Sequence, residues 1–462
     1  MSDSNIIEEN SSSPVKDLTS GSPLKLIISF TLPILFGMLF QQLYNMVDTM
    51  IVGKYLGVDP FAGVGSTGSL NFMVIGFCMG ICNGFAIPVA QMFGARNYSD
   101  LRKFVGNILW LCIFFSILIT SIVVVFCKKI LVFMDTPENI FEYAYIYIII
   151  IFAGIPFTIL YNVTAAIIRS LGDSKSPVVF LAISSVINIV LDIVFIVFMG
   201  MNVEGAAYAT VISQAVSGVA CVIYMKKKFD ILKLSKDDIK PDSGFMGKLV
   251  GIGLPMGLQY SITAIGSIIL QTAVNGLGSL YVAGVTTGLK IYSLISCPVE
   301  ALGQTMAPYA GQNVGAGKLD RVGKGIKAAN LCGFVMAAVT LVIVLLFGNN
   351  LTMLFLDEKN DDVARYAFRF LLYMVAFYSA HIIVNVVRFS IQGMGYSTFA
   401  IIAGVLEMIA RAVAGMVLTP MFGFVGICLA SPLAWVLADT FLIPAFFVCK
   451  KRIKRTVGVT AS

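Results

Sequence analysis

Asp48 is an acid where acids are costly. It closes the stretch Tyr44-Asn45-Met46-Val47-Asp48 inside the almost wholly apolar run 26–56, and an unpaired carboxylate there costs roughly 2.5–3.5 kcal/mol on insertion scales. A chain does not need that acid to span a membrane, so Asp48 is a candidate for a functional pathway. Other ionisable groups lie in apolar runs. Glu300 stands in Pro298-Val299-Glu300-Ala301, and the ten residues back to Lys290 are about 15 Å of helix, too far for a direct pair. Glu300 therefore either faces a cavity and binds a cationic ligand or satisfies a neighbouring helix. Glu407 and Arg411 are four apart and suited to pair along one helix face. Asp439 is isolated. His381, the only histidine, reads first as a packed, hydrogen-bonded residue, although an imidazole can titrate near pH 6.5. No Asp-rich diphosphate motif, nucleotide loop, Ser/His pair or metal-ligand cluster is present, so neither an enzyme nor a cofactor is expected. The nine cysteines form no CxxC pair and read as packing residues.

The elements that must hold these groups are membrane spans. The chain has 462 residues, 58% hydrophobic and 12% charged, where soluble domains carry about twice that charge. Apolar runs long enough to cross a bilayer recur throughout. They predict twelve spans, near 24–52, 66–90, 104–126, 141–165, 177–199, 204–225, 247–274, 281–308, 325–347, 367–390, 398–418 and 424–448. Residues 1–22 are polar and lack a signal-peptide pattern, so the first span is expected to be retained. The loops after even-numbered spans are basic, above all Lys226, Lys227, Lys228, Lys233, Lys236 and Lys240, and the tail adds Lys450, Lys451, Arg452, Lys454 and Arg455. The opposite loops are short or acidic, as at Asp357, Glu358, Asp361 and Asp362. The positive-inside rule then puts both termini in the cytoplasm. The net charge of +7 sits at span ends, and no nucleic-acid partner is expected.

The two halves of the chain echo each other. Leu32-Pro33 matches Leu254-Pro255. Leu56-Gly57 with Ala62-Gly63-Val64 matches Leu277-Gly278 with Ala283-Gly284-Val285. Pro88, Gln91 and Gly94-Ala95 match Pro308, Gln312 and Gly315-Ala316. Gly172 and Ser174 match Gly395 and Ser397, and 205–210 matches 426–431, all at an offset of about 222 residues. An ordered repeat of this kind predicts an all-α integral membrane protein whose twelve transmembrane helices form two six-helix lobes around a central cavity. The expected divisions are a polar cytoplasmic tail over 1–22, an N-terminal lobe over 23–226, a cytoplasmic inter-lobe loop over 227–245, a C-terminal lobe over 246–448 and a basic cytoplasmic tail over 449–462.

With the acid of span 1, the two halves, the ends Pro88-Val-Ala-Gln91 and Pro308-Tyr-Ala-Gly-Gln312, and the stretch Gly311-Gln-Asn-Val-Gly-Ala-Gly317, the chain resembles the multidrug and toxic compound extrusion (MATE) family, in its DinF-like bacterial branch within the multidrug/oligosaccharidyl-lipid/polysaccharide superfamily. The resemblance covers about residues 23–450. It implies a secondary active antiporter of the bacterial inner membrane, a monomer among lipids. Such a protein exports lipophilic or cationic small molecules by alternating access in exchange for the coupling ion Na+ or H+. A flippase for lipid-linked oligosaccharide and an exporter of one specific metabolite are the alternatives.

The resemblance also assigns residues. Asp48, Asn188, Asp192 and Thr210 match the family's cation site. Asn188 and Asp192 are four apart and so share a helix face; Asp192 is about 25 Å of helix beyond Lys175, and Thr210 about 9 Å in from Glu204, which puts all of them in the outer half of the membrane. Two carboxylates, an amide and a hydroxyl suit Na+, with Asp48 and Asp192 as its metal ligands by analogy with the rules for hard cations. The same carboxyls could instead share a proton. Pro33 with Gly37 gives span 1 a hinge. Asn45, Glu300, Met256 and Met306 are the candidate substrate contacts, with core packing as the competing reading for the methionines. In the second half the positions of Asn188 and Asp192 are taken by Arg411 and Gly415, so the site is not expected to be duplicated.

Overall fold

A computed structural model describes residues 16–355 and 360–460. The acidic loop residues Asp357 and Glu358, and most of the polar tail over 1–22, lie outside the described residues. The described chain is helical, with ten helices long and apolar enough to cross a membrane and two more spans made of bent helix pairs. In chain order these are α1 (Pro23–Leu56), α2 (Val58–Gly94), α3 (Tyr98–Phe133), α4 (Glu138–Ala153 and Ile155–Ser170), α5 (Lys175–Phe198), α6 (Val203–Lys228), α7 (Ser243–Asn275), α8 (Ser279–Gly315), α9 (Leu319–Leu354), α10 (Asp361–Ala376 and Tyr378–Gly393), α11 (Ser397–Phe422) and α12 (Phe424–Thr460). The helices overrun the expected spans at their ends, because solvated turns continue a helix without adding apolar signal. The largest overrun is in α12, which carries the basic tail to Thr460.

The repeat seen in the sequence is written into the backbone. Gly57 and Gly278, at φ 92° and 107°, let α1 pass into α2 and α7 into α8. Gly172 and Gly395, at 93° and 89°, turn α4 into α5 and α10 into α11. Gly200 and Gly423 do the same one connection later, at 68° and 58°. A residue with a Cβ rarely adopts these angles. The bends repeat too, at 48° in α4 and 51° in α10, and so does a stretch of π-helix, Ile193–Phe198 in α5 and Ala414–Leu418 in α11.

Each half has its own apolar core, and α1 is split between them. Its lower residues Ile27, Phe30 and Ile34 pack with the second half, whereas Ile51 and Val52 belong to the core of the first. Large apolar side chains such as Val125, Phe133 and Leu346 stay exposed on the outer faces, as expected where lipid is the solvent. The connection 229–242 docks back on α3. Trp110 Nε1 donates to the Ile239 carbonyl at 2.8 Å, and the Asp242 amide donates to Asn107 Oδ1 at 2.9 Å. Asp238 faces Arg102 at 3.6 Å. Burial alone would raise the Asp238 carboxyl, but hydrogen bonds from Ser235 and the charges of Arg102 and Lys103 prevail and hold it below the usual carboxylate range.

The halves meet at the end that carries this connection, hereafter the basic end, and diverge toward the other. Along the seam, backbones touch through glycine. A Cβ on Gly84 would lie 2.5 Å from Gly253 Cα, and one on Gly80 2.5 Å from the Met256 carbonyl oxygen. Gly94 abuts the carbonyl of Gln312, and Gly315 abuts that of Gln91. Thr31 and Thr305 hydrogen-bond across α1 and α8 at 2.9 Å. At the far end the second half lines an open recess of ≈ 560 Å³ with Asn275, Ser279, Thr286, Thr287, Lys290 and Phe355. The close contacts between the lobes thus gather toward the basic end, and the opposite end carries an open recess.

Filling the seam tests this. Gly80→Leu is expected to cost about 1–3 kcal/mol by overpacking, read as a lower thermal midpoint. Gly68→Leu, at a position with nothing within 4 Å of the added Cβ, should melt like the parent chain. Equal midpoints for the two variants would refute the close seam.

Candidate functional site

In the first lobe three helices bring the sequence candidates together. Asp48 on α1 and Asp192 on α5 face each other closely enough for their carboxyl groups to act on one another electrostatically. Asp192 is fully buried and Asn188 is 2% exposed. Asn188 Nδ2 donates to Thr210 Oγ1 on α6 at 3.5 Å. Four residues from two carboxyl-bearing helices and one hydroxyl-bearing helix therefore converge as their spacing suggested. A small cavity of ≈ 10 Å³, room for about one water, adjoins them, lined by Tyr44, Ser184, Ser185, Asn188, Thr210 and Gln214 among others.

The hydrogen-bond inventory gives the site its sign. Asp48 Oδ1, both Asp192 oxygens, Asn188 Oδ1 and Gln214 Oε1 are buried acceptors without a donor. Among the described residues, neither acid has a salt bridge to a base. Buried acceptors left unmatched are expensive. A group of unmatched buried acceptor oxygens is a place for something positive. Asp192 is also the last α-helical residue before the π-turn Ile193–Phe198, an irregularity common at functional positions.

Sequence reasoning missed Tyr147 and Gln214. Tyr147, 8% exposed on α4, and Tyr44 on α1 lie within electrostatic reach of both acids. A buried tyrosine in an apolar helix gives no signal of its own until folding shows what it faces.

Helix α1 has two working sides. Tyr44 and Asp48, four apart, turn toward α5. Gln42 reaches Cys297 of α8, and Asn45, three residues on, is exposed on that side. Glu300 is exposed on α8 near Tyr260, Tyr292 and Tyr378. One turn below, Gln304 lines a narrow inter-lobe cavity of ≈ 20 Å³ with Asn83, Arg169, Met256, Pro308 and Phe389. Asn45 and Glu300 thus look into the space between the lobes, and Met256 borders its closed end. Met306 is fully buried in the core of the second lobe, where packing accounts for it. Helix α1 runs through Pro33 as one element, and Gly37 lets it approach α5, since a Cβ there would lie 3.0 Å from Val178 Cγ2.

The second lobe fills the corresponding place differently. Glu407 pairs with Arg411 at 3.5 Å, and also with Arg388 of α10 in a close contact. Asp439 of α12 acts electrostatically on Arg388. Glu407 thus answers both buried guanidinium groups inside the lobe. His381 Nδ1 hydrogen-bonds the Tyr292 hydroxyl at 2.8 Å and stacks on Trp435 at 4.5 Å. Arg388 was not singled out from the sequence, because a lone arginine in an apolar run gives no hint of its partner on another helix.

Removing one member of a buried ion network strands the others. Glu407→Ala leaves two guanidinium groups without their shared carboxylate and should cost about 3–5 kcal/mol, seen as a large fall in thermal midpoint. Glu407→Ala combined with Arg388→Leu should recover part of it. A single variant that melts like the parent would show the network to be inert.

A family model described as MatE matches residues 33–194 and 255–420. The chain is 31% identical to the probable multidrug resistance protein YoeA of Bacillus subtilis (strain 168) over 71% of this chain and 73% of that protein. It is 29% identical to the probable multidrug resistance protein YpnP of the same organism over 78% of this chain and 80% of that protein. Among solved structures, the outward-facing conformation of a multidrug resistance MATE family transporter of the MOP superfamily superposes with a TM-score of 0.87 at 22% identity, covering 97% of this chain and 99% of that one. An all-helical fold of paired six-helix lobes, an acceptor-lined pair of acids in one of them and these matches along most of the chain lead to one assignment: the protein belongs to the MATE family of multidrug efflux transporters.

Proposed function

We propose that this transporter exports bulky cationic or amphipathic compounds, and that each cycle is driven by one kind of small cation, Na+ or H+, taken up at Asp48, Asp192, Asn188 and Thr210. The observation that carries the reading is the set of five buried acceptor oxygens with no donor. A cation or a proton is what such a set lacks. The basic end is the cytoplasmic one in this reading, supported by the lysines of 226–240 and 450–454.

The residues then divide the work. Asp48 and Asp192 repel while both are ionised, and a bound cation or proton removes that repulsion. Because Asp48 rides on the same helix as Gln42 and Asn45, a shift of α1 toward α5 redraws the wall of the central cleft. Pro33 lacks the amide that would close a turn and is where α1 can bend. Glu300, exposed in the cleft with the half-buried Tyr260 near it, gives a cationic substrate a counter-charge and an aromatic neighbour. Loading of the acids and loss of the substrate are thus coupled through one helix, which is what exchange requires.

Proteoliposomes with a fluorescent lipophilic cation and an imposed Na+ or pH gradient test the coupling. One gradient should drive transport, and Asp48→Asn should lower the driven rate at least tenfold while the protein still inserts and folds. Full gradient-driven transport in that variant would refute the site, and indifference of the parent chain to both gradients would point to a lipid-linked or specific metabolite cargo. Glu300→Gln addresses the substrate side. It should raise KM for a cationic compound severalfold and leave transport of a neutral one nearly unchanged, whereas equal losses for both would remove Glu300 from recognition.

A further inference from the structure

The stretch Gly311-Gln-Asn-Val-Gly-Ala-Gly317 is left over by the cation site, whose residues lie on α1, α5 and α6. It ends α8 at the basic end, in the middle of the seam. There the repeat makes a near-symmetric clasp. Gln91 Nε2 of α2 donates to the Gly393 carbonyl of α10 at 3.0 Å, and Gln312 Nε2 of α8 donates to the Ser170 carbonyl of α4 at 2.9 Å. Residues 91 and 312, like 170 and 393, are equivalents in the repeat. Each glutamine thus ties its own lobe to the other.

The symmetry fails at one point. Residues 16–21 lie across the Gln312 side of the clasp as a strap that turns at Leu18–Thr19. The Leu18 amide donates to Gln312 Oε1 at 2.9 Å, and Asn313 Nδ2 donates to the Leu18 carbonyl at 3.1 Å. Lys318 Nζ donates to the Thr19 carbonyl at 3.0 Å, and Arg321 Nη1 donates to that of Gly21, also at 3.0 Å. The Leu18 side chain is 1% exposed and packs with the core of the second lobe. On the other flank the Lys16 main chain presses on Gly172 of the first lobe, so closely that a Cβ would overlap its carbonyl. Asp17 fixes the turn by accepting from the Thr19 amide at 2.7 Å. Burial would raise its carboxyl, but the hydrogen bonds from Thr19 and Ser20, with the charge of Lys318, outweigh that and hold it below the usual range. The equivalent of residue 18 in the second half falls near Lys240, in the connection that docks on Asn107 and Trp110 of α3 and leaves Gln91 alone.

We propose that residues 16–21 are a latch for transport: seated on Gln312 and Asn313 and braced on Gly172, they hold the basic end shut and must leave when the lobes part there. The strap touches both lobes, so it can keep all its contacts only while the seam is closed. It therefore biases the equilibrium toward the state open at the opposite end, by an amount set by the bonds that break. The GQN motif, on this account, is the receptor for the chain's own amino-terminal segment and not a nucleotide or phosphate loop. The reading needs only that the two ends open alternately, and it is indifferent to the coupling ion and to the substrate.

Two reporter cysteines on the full-length purified protein decide it. Ser170→Cys sits at the sealed seam, 3% exposed, and Thr286→Cys sits in the open recess. Each is alkylated with a charged maleimide, and the rate is compared with and without Leu18→Asp. Releasing the latch should speed modification at 170 about tenfold or more, as expected for loss of one to two net hydrogen bonds and a buried leucine, and should slow it at 286. General loosening would speed one or both and slow neither. Should Leu18→Asp fail to fold, Lys318→Met with Arg321→Met removes two strap contacts from the surface and carries the same opposed signs at a smaller factor. Unchanged rates at both reporters, or rates that rise together, overturn the proposal.

Discussion

Two carboxyl groups face each other in the first lobe with no base to answer them. Much else in the molecule can be understood as what it takes to hold that arrangement. An unmatched pair of this kind costs folding free energy, so it has to be imposed by structure that is stable elsewhere. The lobe supplies this by packing α1, α5 and α6 through small residues and buried serines. Ser184 Oγ donates to the Ser213 carbonyl at 2.7 Å, and Gly37 brings α1 against Val178 of α5.

The division of α1 between two cores follows from the same need. Its lower part is fixed to the second lobe and its upper part to the first. A helix bound wholly to one lobe could report the state of the acids only to its own surroundings. A helix shared between the lobes, with the acid at one end and the seam at the other, is what the proposed coupling of site occupancy to the separation of the halves requires. The strap of residues 16–21 precedes this helix directly and extends the link to the closed end.

The sequence made the large features legible because each rests on a strong local signal. Apolar runs mark spans, and matching Gly and Pro positions at a constant offset mark a duplicated backbone. Gly57 and Gly278, or Gly172 and Gly395, were visible as echoes before their shared positive φ was known. An acid in an apolar run marks itself by its cost. The resemblance to a known family then supplied Asn188 and Thr210, which composition alone would have left among ordinary polar helix residues. What stayed hidden depends on contacts between distant segments. Tyr147 and Arg388 matter through what they face on other helices. The role of 16–21 depends on Gln312, about three hundred residues away, and short polar segments carry no periodicity from which docking could be read.

The unequal lobes pose the last question, since duplication should have given two cation sites. Arg411 stands where Asn188 stands in the first lobe, its guanidinium against Gly266 of α7 and its charge on Glu407. The second lobe keeps the π-turn and the bend of the first but carries its positive charge on a side chain. A tethered cation cannot leave, so Glu407 is answered at that place by side chains of the protein itself. On the proposed reading the acids of the first lobe can gain and lose a cation, whereas the Arg411 position cannot. The buried ion network, costly as a source of stability, thus fills in the second lobe the place that the first leaves to unmatched acceptors.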